Sequence, residues 1–244
     1  MPNLMKINLA IISAVMLLLF GFITPATATT LTVTNVRLPS GTPFDLKITG
    51  GIFGSNVRSV THPYAGQILL DTQEYGTVAT WCVDDLHAIY LGGHYSYTTG
   101  ILQTDNSGGT VSGSNPLSGQ QIHDVMALVS YGNNLLYSTP AGPNHDLISG
   151  QIQAAIWGVI YAATVTAISG TDPVGALAFS QGVVGLRALA PSLSPGNAFA
   201  LFNLDANGLI LSQVLMGSFV PEPTTLALLG IGLAGAFLRR RRIA

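Results

Sequence analysis

Two short strings in this sequence carry side chains that could form a covalent bond with each other. The first, Trp81-Cys82-Val83-Asp84, contains the only cysteine of the 244 residues. The second is Gln153-Ala154-Ala155-Ile156-Trp157, whose glutamine and tryptophan are four residues apart and share one face of a helix. A thiolate attacks an amide carbonyl that is held against it. Cys82 and Gln153 are therefore the first candidate site, and Trp157 is placed to shield an acyl–sulfur bond from water.

The lone cysteine leaves other chemistries open. One cysteine cannot form an internal disulfide, so Cys82 is a buried inert thiol, a thiol that joins two copies, a catalytic nucleophile or half of another crosslink. A nucleophile needs a base, and His87 or His123 could supply it, which would predict a cysteine-dependent hydrolase. Without any reaction, Trp157 would be plain core and Gln153 a surface polar residue of a structural protein.

Together the two strings resemble the thioester domains of bacterial surface adhesins. In that family a cysteine on a strand condenses with the glutamine of a Gln-x-Ala-Ile-Trp string, and ammonia leaves. The resemblance implies a thioester between Cys82 and Gln153, with Asp84 and Trp157 around it. It also implies that an amine or hydroxyl on a partner displaces Cys82 and becomes attached to Gln153. Such a reaction is used once, so we expect no enzymatic turnover and no cofactor.

Strand patterns fill the first part of the chain. Apolar residues alternate with polar ones and predict strands over Leu31–Val36, Phe44–Thr49, Ala65–Leu70 and Thr77–Val83, with a short fifth at Ile89–Leu91. The segment Thr104–Ser118 is rich in Gly, Ser, Thr and Asn and predicts a loop. A hairpin is predicted near the end of the domain, between Phe199–Phe202 and Leu209–Phe219.

Three helices are predicted between these strands. The first begins near Ser118 or Gly119 and ends around Gly132–Asn134. The second is capped by Asn144 or Asp146, and isoleucines at helical spacing predict its buried stripe. The third starts with Pro173 as its first residue and continues over Val174–Leu189. The order of strands, helices and strands predicts an α+β fold, a small antiparallel sheet or sandwich with a helical subdomain.

The first 28 residues have the pattern of a secretory signal peptide. Lys6 provides the positive region, an apolar core follows, and Ala26-Thr27-Ala28 is a small-x-small cleavage site. We therefore divide the chain into a signal peptide with its helix (1–28), an exported α+β domain (29–219) and a C-terminal tail (220–244).

The tail has three parts in a fixed order. Pro221-Glu222-Pro223 holds the backbone extended, because neither proline can continue a helix or a sheet ladder. Thr224–Leu238 has no charge and predicts a transmembrane helix about 22 Å long. A basic block follows, and it stays on the cytoplasmic side of a membrane. The block consists of Arg239, Arg240, Arg241 and Arg242.

This tail resembles the PEP-CTERM sorting signal of Gram-negative bacteria, which exosortase enzymes process. The resemblance implies export through the inner membrane, transient anchoring there by the C-terminal helix, and cleavage near Pro221-Glu222-Pro223. The processed protein would then reach the cell surface or the extracellular matrix, where exopolysaccharide is a candidate partner.

Composition excludes several other functions. Between Thr29 and Val220 there are four basic and ten acidic residues, a net charge of −6, so no basic face for nucleic acid is expected. The histidines have no zinc-binding spacing, the aspartates form no calcium loop, and no glycine string resembles a phosphate loop. We therefore predict no metal site.

Overall fold

The structure is a computed structural model that describes residues 29–39, 43–53, 55–60, 65–84, 89–102, 117–206 and 211–218. Within these ranges strands and helices are both present, and the predicted α+β class is confirmed. The predicted signal peptide, most of the predicted loop at 104–118 and the C-terminal tail, with its transmembrane helix and its arginine block, lie outside the described residues.

Six of the described strands close into an antiparallel barrel. In order around it they are β1 (Thr30–Arg37), β4 (Ile68–Thr72), β5 (Gly76–Cys82), β9 (Leu215–Ser218), β8 (Ala198–Phe202) and β6 (Tyr95–Gly100). The closure goes beyond the predicted sheet or sandwich. It arises because the last strand, β9, pairs with β5 on one side and with β8 on the other.

A second sheet and three helices complete the described part of the domain. The sheet has the order β3 (Val57–Val60), β2 (Leu46–Thr49) and β7 (Thr164–Ala167), all antiparallel. The helices are α1 (Gly119–Ser138), α2 (Pro143–Ile160) and α3 (Pro173–Leu189), and two short 3-10 turns occupy Gly51–Phe53 and Ala190–Ser192. Helix α2 packs between α1 and α3, α1 contacts the barrel at β5, β8 and β9, and α3 contacts β7.

Helix starts follow from local chemistry, with one correction. Ser118 caps α1 in a capping box, because its side chain accepts from the Gln121 N–H while the Gln121 side chain accepts from the Ser118 N–H. The predicted caps of α2, Asn144 and Asp146, are wrong. That helix starts at Pro143, whose missing N–H would have no partner in the first turn anyway.

Helix α1 continues past the predicted stop because tertiary contacts override local preference. A Cβ at Gly132 would lie 2.9 Å from side-chain carbons of Trp81 and Ile152, so the missing side chain allows close packing. Asn133 is 2% exposed and makes four hydrogen bonds. Its Oδ1 accepts from the side chains of Gln67 and Trp81, and its Nδ2 donates to the Ala79 carbonyl and the Ser218 hydroxyl.

The strand predictions are partly right. The first four predicted strands and the β8–β9 hairpin are present, although β9 begins only at Leu215. The predicted strand Ile89–Leu91 is wrong, because the chain turns there and Gly92, at φ +73°, donates its N–H to the Val36 carbonyl. Strands β3, β6 and β7 were not predicted.

One stretch of the described residues, Pro173–Ser192, is long and apolar enough to cross a membrane by length and composition alone. It contains α3, whose Phe179 and Val183 are buried. The Ser180 hydroxyl also accepts a hydrogen bond from the Ala167 N–H of β7. These contacts make α3 part of the folded domain.

Replacing Asn133 by alanine tests how strongly α1 is fixed to the barrel. The substitution leaves the indole N–H of Trp81 and the side-chain amide of Gln67 buried without their acceptor, so we expect the free energy of unfolding to fall by about 3–5 kcal/mol. Urea denaturation measures the change. Asn134→Ala, at the exposed neighbouring position, is the matched control and should stay within about 0.5 kcal/mol of the parent. Equal effects at the two positions would contradict this account.

The ion pair between β1 and β4 predicts a small acid-dependent contribution to stability. Arg37 holds Asp71 at 2.6 Å, and together with the Thr77 hydroxyl it lowers the pKa of Asp71 to about 2. A carboxylate with a lowered folded pKa stabilises the fold above its unfolded pKa of about 4, and the gain is lost as the pH falls through the folded value. Because the pair is exposed, Asp71→Asn should cost less than about 1 kcal/mol at pH 7 and clearly less again at pH 2. Denaturant titrations at both pH values measure this, and a cost that is undiminished at pH 2 would refute the electrostatic cause.

Candidate functional site

Cys82 is the last residue of β5, where that strand extends beyond one of its neighbours. On the β9 side it pairs with Leu215. On the other side the pairing with β4 ends at Thr80, opposite Ile68. The Val83 N–H bonds to the carbonyl of Val214, which directly precedes β9. Because neighbouring residues of a strand direct their main-chain groups to opposite sides, the N–H and carbonyl of Cys82 face the side on which β4 has ended. Without a partner there, a buried N–H and a buried carbonyl would be unpaired.

The side-chain amide of Gln153 takes the place of the missing strand. The Cys82 N–H donates to Gln153 Oε1 at 3.0 Å, and Gln153 Nε2 donates to the Cys82 carbonyl at 2.7 Å. Gln153 is 0% exposed and Cys82 is 2% exposed. Both amide atoms bonded to Gln153 Cδ therefore lie against the main chain of the residue that carries the thiol. The two predicted site residues come together, and Gln153 is not the surface residue that the non-reactive interpretation expected.

The thiol itself is held at the end of the strand. Cys82 Sγ donates to the Asp84 carbonyl at 3.2 Å, and the same carbonyl accepts from Gln213 Nε2 at 3.0 Å. Asp84 is fully buried, and it acts on the thiol through its main chain. The sequence prediction placed Asp84 near the thiol correctly, but the pattern indicated no role for Gln213, which is 129 residues away.

Tyr97 extends the buried polar layer on the barrel side. Its hydroxyl lies 3.1 Å from the Ser212 hydroxyl and donates to the Gln213 carbonyl. Burial is the main cause that raises the pKa of Tyr97 well above its usual range. The hydrogen bond with Ser212 opposes this shift, and Tyr95, Cys82 and Asp84 add to it electrostatically. The tyrosine is therefore a neutral hydrogen-bonding group beside the site at all physiological pH values.

Two buried tryptophans flank the site in unequal ways. The indole N–H of Trp81 donates to Asn133 Oδ1 at 2.7 Å. Trp157, one turn after Gln153 on α2, is 2% exposed, and its Nε1 has no acceptor among the described residues. A buried donor without a partner costs about 1–3 kcal/mol of stability. The Trp157 indole is therefore buried here although its N–H loses the hydrogen bond that it would make with water. That its ring shields the Gln153 amide from water stays a prediction.

Of the two histidines that could act as a base, the structure describes His123 alone. His123 Nδ1 lies 3.2 Å from Asp124 on the helical side of the fold, and His87 lies outside the described residues. Within the described ranges no three histidine, cysteine, aspartate or glutamate side chains are grouped so that they could hold a metal ion. The cysteine–histidine hypothesis with His87 stays a prediction.

The end of the chain matches a known protein family. Residues 219–242 match the PEP-CTERM protein-sorting motif, starting directly after β9 ends at Ser218. The chain carries a PEP-CTERM sorting signal. The motif implies export, processing by exosortase and a membrane-anchored C-terminus before processing.

Every part of the predicted tail falls within this match. The match includes the Pro221-Glu222-Pro223 string, the apolar segment Thr224–Leu238 and the basic block of Arg239, Arg240, Arg241 and Arg242. All of these residues lie beyond the part of the chain that the structure describes. The motif match therefore confirms the predicted sorting signal, whereas the transmembrane helix, the bond that is cut and the position of the arginines at the membrane stay predictions.

The comparisons with curated proteins and with solved structures assign no function to the chain. No curated protein matches the sequence. Among solved structures, the chain is similar to the N-terminal domain of the Streptococcus pyogenes pilus tip adhesin Cpa, with 14% sequence identity and a TM-score of 0.42. The match covers 78% of this chain and 100% of that one. Similarity at this level assigns neither a ligand nor a reaction to the present chain.

Paired tryptophan substitutions test the difference between the two indoles. Trp81→Phe removes a donor from Asn133 Oδ1, whereas Trp157→Phe removes an N–H that has no described acceptor, and both leave a similar cavity. We expect Trp81→Phe to lower the free energy of unfolding by about 1–2 kcal/mol more than Trp157→Phe does. Urea denaturation at pH 7 measures both. An equal loss at the two positions would mean that the Trp157 N–H is paired in solution.

Proposed function

We propose that this exported protein attaches itself covalently to a partner through a thioester formed between Cys82 and Gln153. The observation that carries the proposal is the pair of hydrogen bonds that holds the Gln153 amide against the main chain of Cys82. The two residues are 71 positions apart, and both are buried. The arrangement holds the acyl group against the residue that carries the nucleophile, in a buried site, and proximity of this kind favours an intramolecular reaction.

In the first step the sulfur of Cys82 attacks Gln153 Cδ. The S–C bond forms, the C–N bond breaks, and the thiol proton leaves with the amide nitrogen as ammonia, so nothing is oxidised or reduced. The Cys82 N–H already donates to Oε1, where negative charge develops during the attack, and stabilises it as an oxyanion donor does. The Cys82 carbonyl holds the leaving nitrogen until it departs.

In the second step a nucleophile on a partner takes the acyl group. An amine or hydroxyl attacks Gln153 Cδ, the S–C bond breaks, and Cys82 regains its proton. The product is an amide or ester between Gln153 and the partner. Each molecule reacts once, so the protein acts in adhesion and not as an enzyme. We place the processed protein at the cell surface or in the extracellular matrix, where amines and the hydroxyls of exopolysaccharide are available.

Intact-mass measurement with peptide mapping tests the thioester. The full-length chain, purified in detergent, should have a mass lower by one ammonia than its sequence, with the peptides that carry Cys82 and Gln153 joined. Methylamine, which is small enough to enter a buried site, should separate them, leave a methylamide on Gln153 and free the thiol. A glutamate at position 153 would indicate a thioester that has been hydrolysed and would also support the proposal.

Three variants make the result specific. Cys82→Ala and Gln153→Ala should each show the full sequence mass and gain no methylamine. Gln151→Ala is the matched control on the same helix, because its side chain contacts the Phe179 carbonyl and not Cys82, and it should retain the mass deficit. An intact Gln153 beside a free Cys82 thiol in the parent protein would refute the thioester. The Gln153 amide would then be a structural cap on β5 in a non-reactive matrix protein.

A further inference from the structure

A cleft of about 470 Å³ lies among the three helices, away from the barrel strand that carries Cys82. A cleft of this volume can hold a small molecule. Val159 and Ala162 at the end of α2 and Val184 on α3 give it apolar walls, while Gln121, Asp124 and Arg187 supply polar groups. The proposed thioester uses none of these residues.

Arg187 supplies a positive charge to this cleft, and no carboxylate of the described residues forms an ion pair with it. Its guanidinium is half-buried and donates from Nη1 to the Ala163 carbonyl at 2.7 Å. The described residues place no carboxylate within ion-pair distance of it, whereas Arg37 has one. Burial lowers the pKa of Arg187, yet a guanidinium stays charged, so the charge has lost water without gaining an anion from the described residues. Its other donors are available to a ligand, and they match a carboxylate in geometry.

Asp124 offers hydrogen-bond acceptors to the cleft, so a ligand beside it must supply hydrogen-bond donors. It is 9% exposed, and its Oδ1 accepts from Gln120 Nε2 and lies 3.2 Å from His123 Nδ1. A carboxylate can accept further hydrogen bonds through its remaining lone pairs. It also repels any anion placed close to it, so a ligand must bring its negative charge to Arg187 and its hydroxyls to Asp124.

The wall of the cleft also contains a strained residue. Ala162, at φ +48°, is the non-glycine residue with positive φ in the described part of the chain. It directly follows the C-cap of α2, where glycine is usual because a side chain disfavours this backbone conformation. Gln121 Nε2 fixes the same turn by donating to the carbonyls of Val159 and Ile160. Residues with a strained backbone are frequent at ligand-binding sites, where the surrounding structure holds them in that conformation.

We infer that the cleft between α1, α2 and α3 is a second, non-covalent binding site for a hydroxylated carboxylate, the chemistry of an acidic sugar. Arg187 binds the carboxylate through its free guanidinium donors. Asp124 accepts hydrogen bonds from the hydroxyls, and Val159, Ala162 and Val184 contact the carbon skeleton. The site does not depend on the thioester.

Calorimetric titration of the full-length chain with glucuronate tests this site. Glucose has the hydroxyls without the charge and acetate has the charge without the hydroxyls, so both should bind more weakly than glucuronate. Arg187→Gln should raise the Kd for glucuronate roughly tenfold or more, and Arg187→Lys, which retains the charge without the fork, should raise it less. Lys47→Gln, which removes an exposed cation on β2, is the matched control and should leave the Kd unchanged.

Asp124→Asn separates a ligand contact from a structural role. The neutral side chain is a weaker acceptor for hydroxyls and no longer repels an anion, so binding of glucuronate should weaken while binding of acetate strengthens. Cys82→Ala should bind glucuronate as the parent does, whether or not a thioester forms. Thermal denaturation confirms that each variant is folded. Absence of glucuronate binding, equal binding by folded Arg187→Gln, or equal affinity for glucose would each overturn the site.

Discussion

The hydrogen bonds between Gln153 and Cys82 satisfy a requirement that the barrel itself creates. Strand β5 continues past the end of β4, so the outward N–H and carbonyl of its last residue would be buried without partners. The carboxamide of Gln153 has one acceptor and one donor at the right spacing to replace a strand. This contact fixes α2 against the barrel, and with it the positions of α1 and α3 on either side. The proposed chemistry uses the same contact that the fold needs.

A second buried side-chain amide, that of Asn133, also links a helix to the barrel, on the other side of β5. Asn133 uses both lone pairs and both protons, and it joins α1 to Gln67, Trp81, β5 and β9. Apolar packing alone would allow the helices to slide over the barrel, because it has little directional preference. Two buried amides with fully specified partners select one arrangement of the helical layer.

The sequence indicated Cys82 and Gln153 as a candidate pair because both residues stand in short, recognisable strings. It could not indicate that Gln153 is buried, since that depends on where β4 stops. Strands β3 and β7 have only four residues, and β6 has a single buried position, Tyr97, so none shows a clear alternation. The continuation of α1 through Gly132 and Asn133 depends on partners distant in the chain. The cleft was not predictable, because Asp124 and Arg187 come from different helices without a shared pattern.

The position of β9 has a mechanical consequence. This strand ends at Ser218, and the sorting motif begins at the next residue. While the protein is held through its C-terminus, a pull on the domain enters through β9. The force then passes to β5 and β8, the two strands with which β9 pairs. Tension on the anchored protein would therefore act directly on the strand that ends at Cys82.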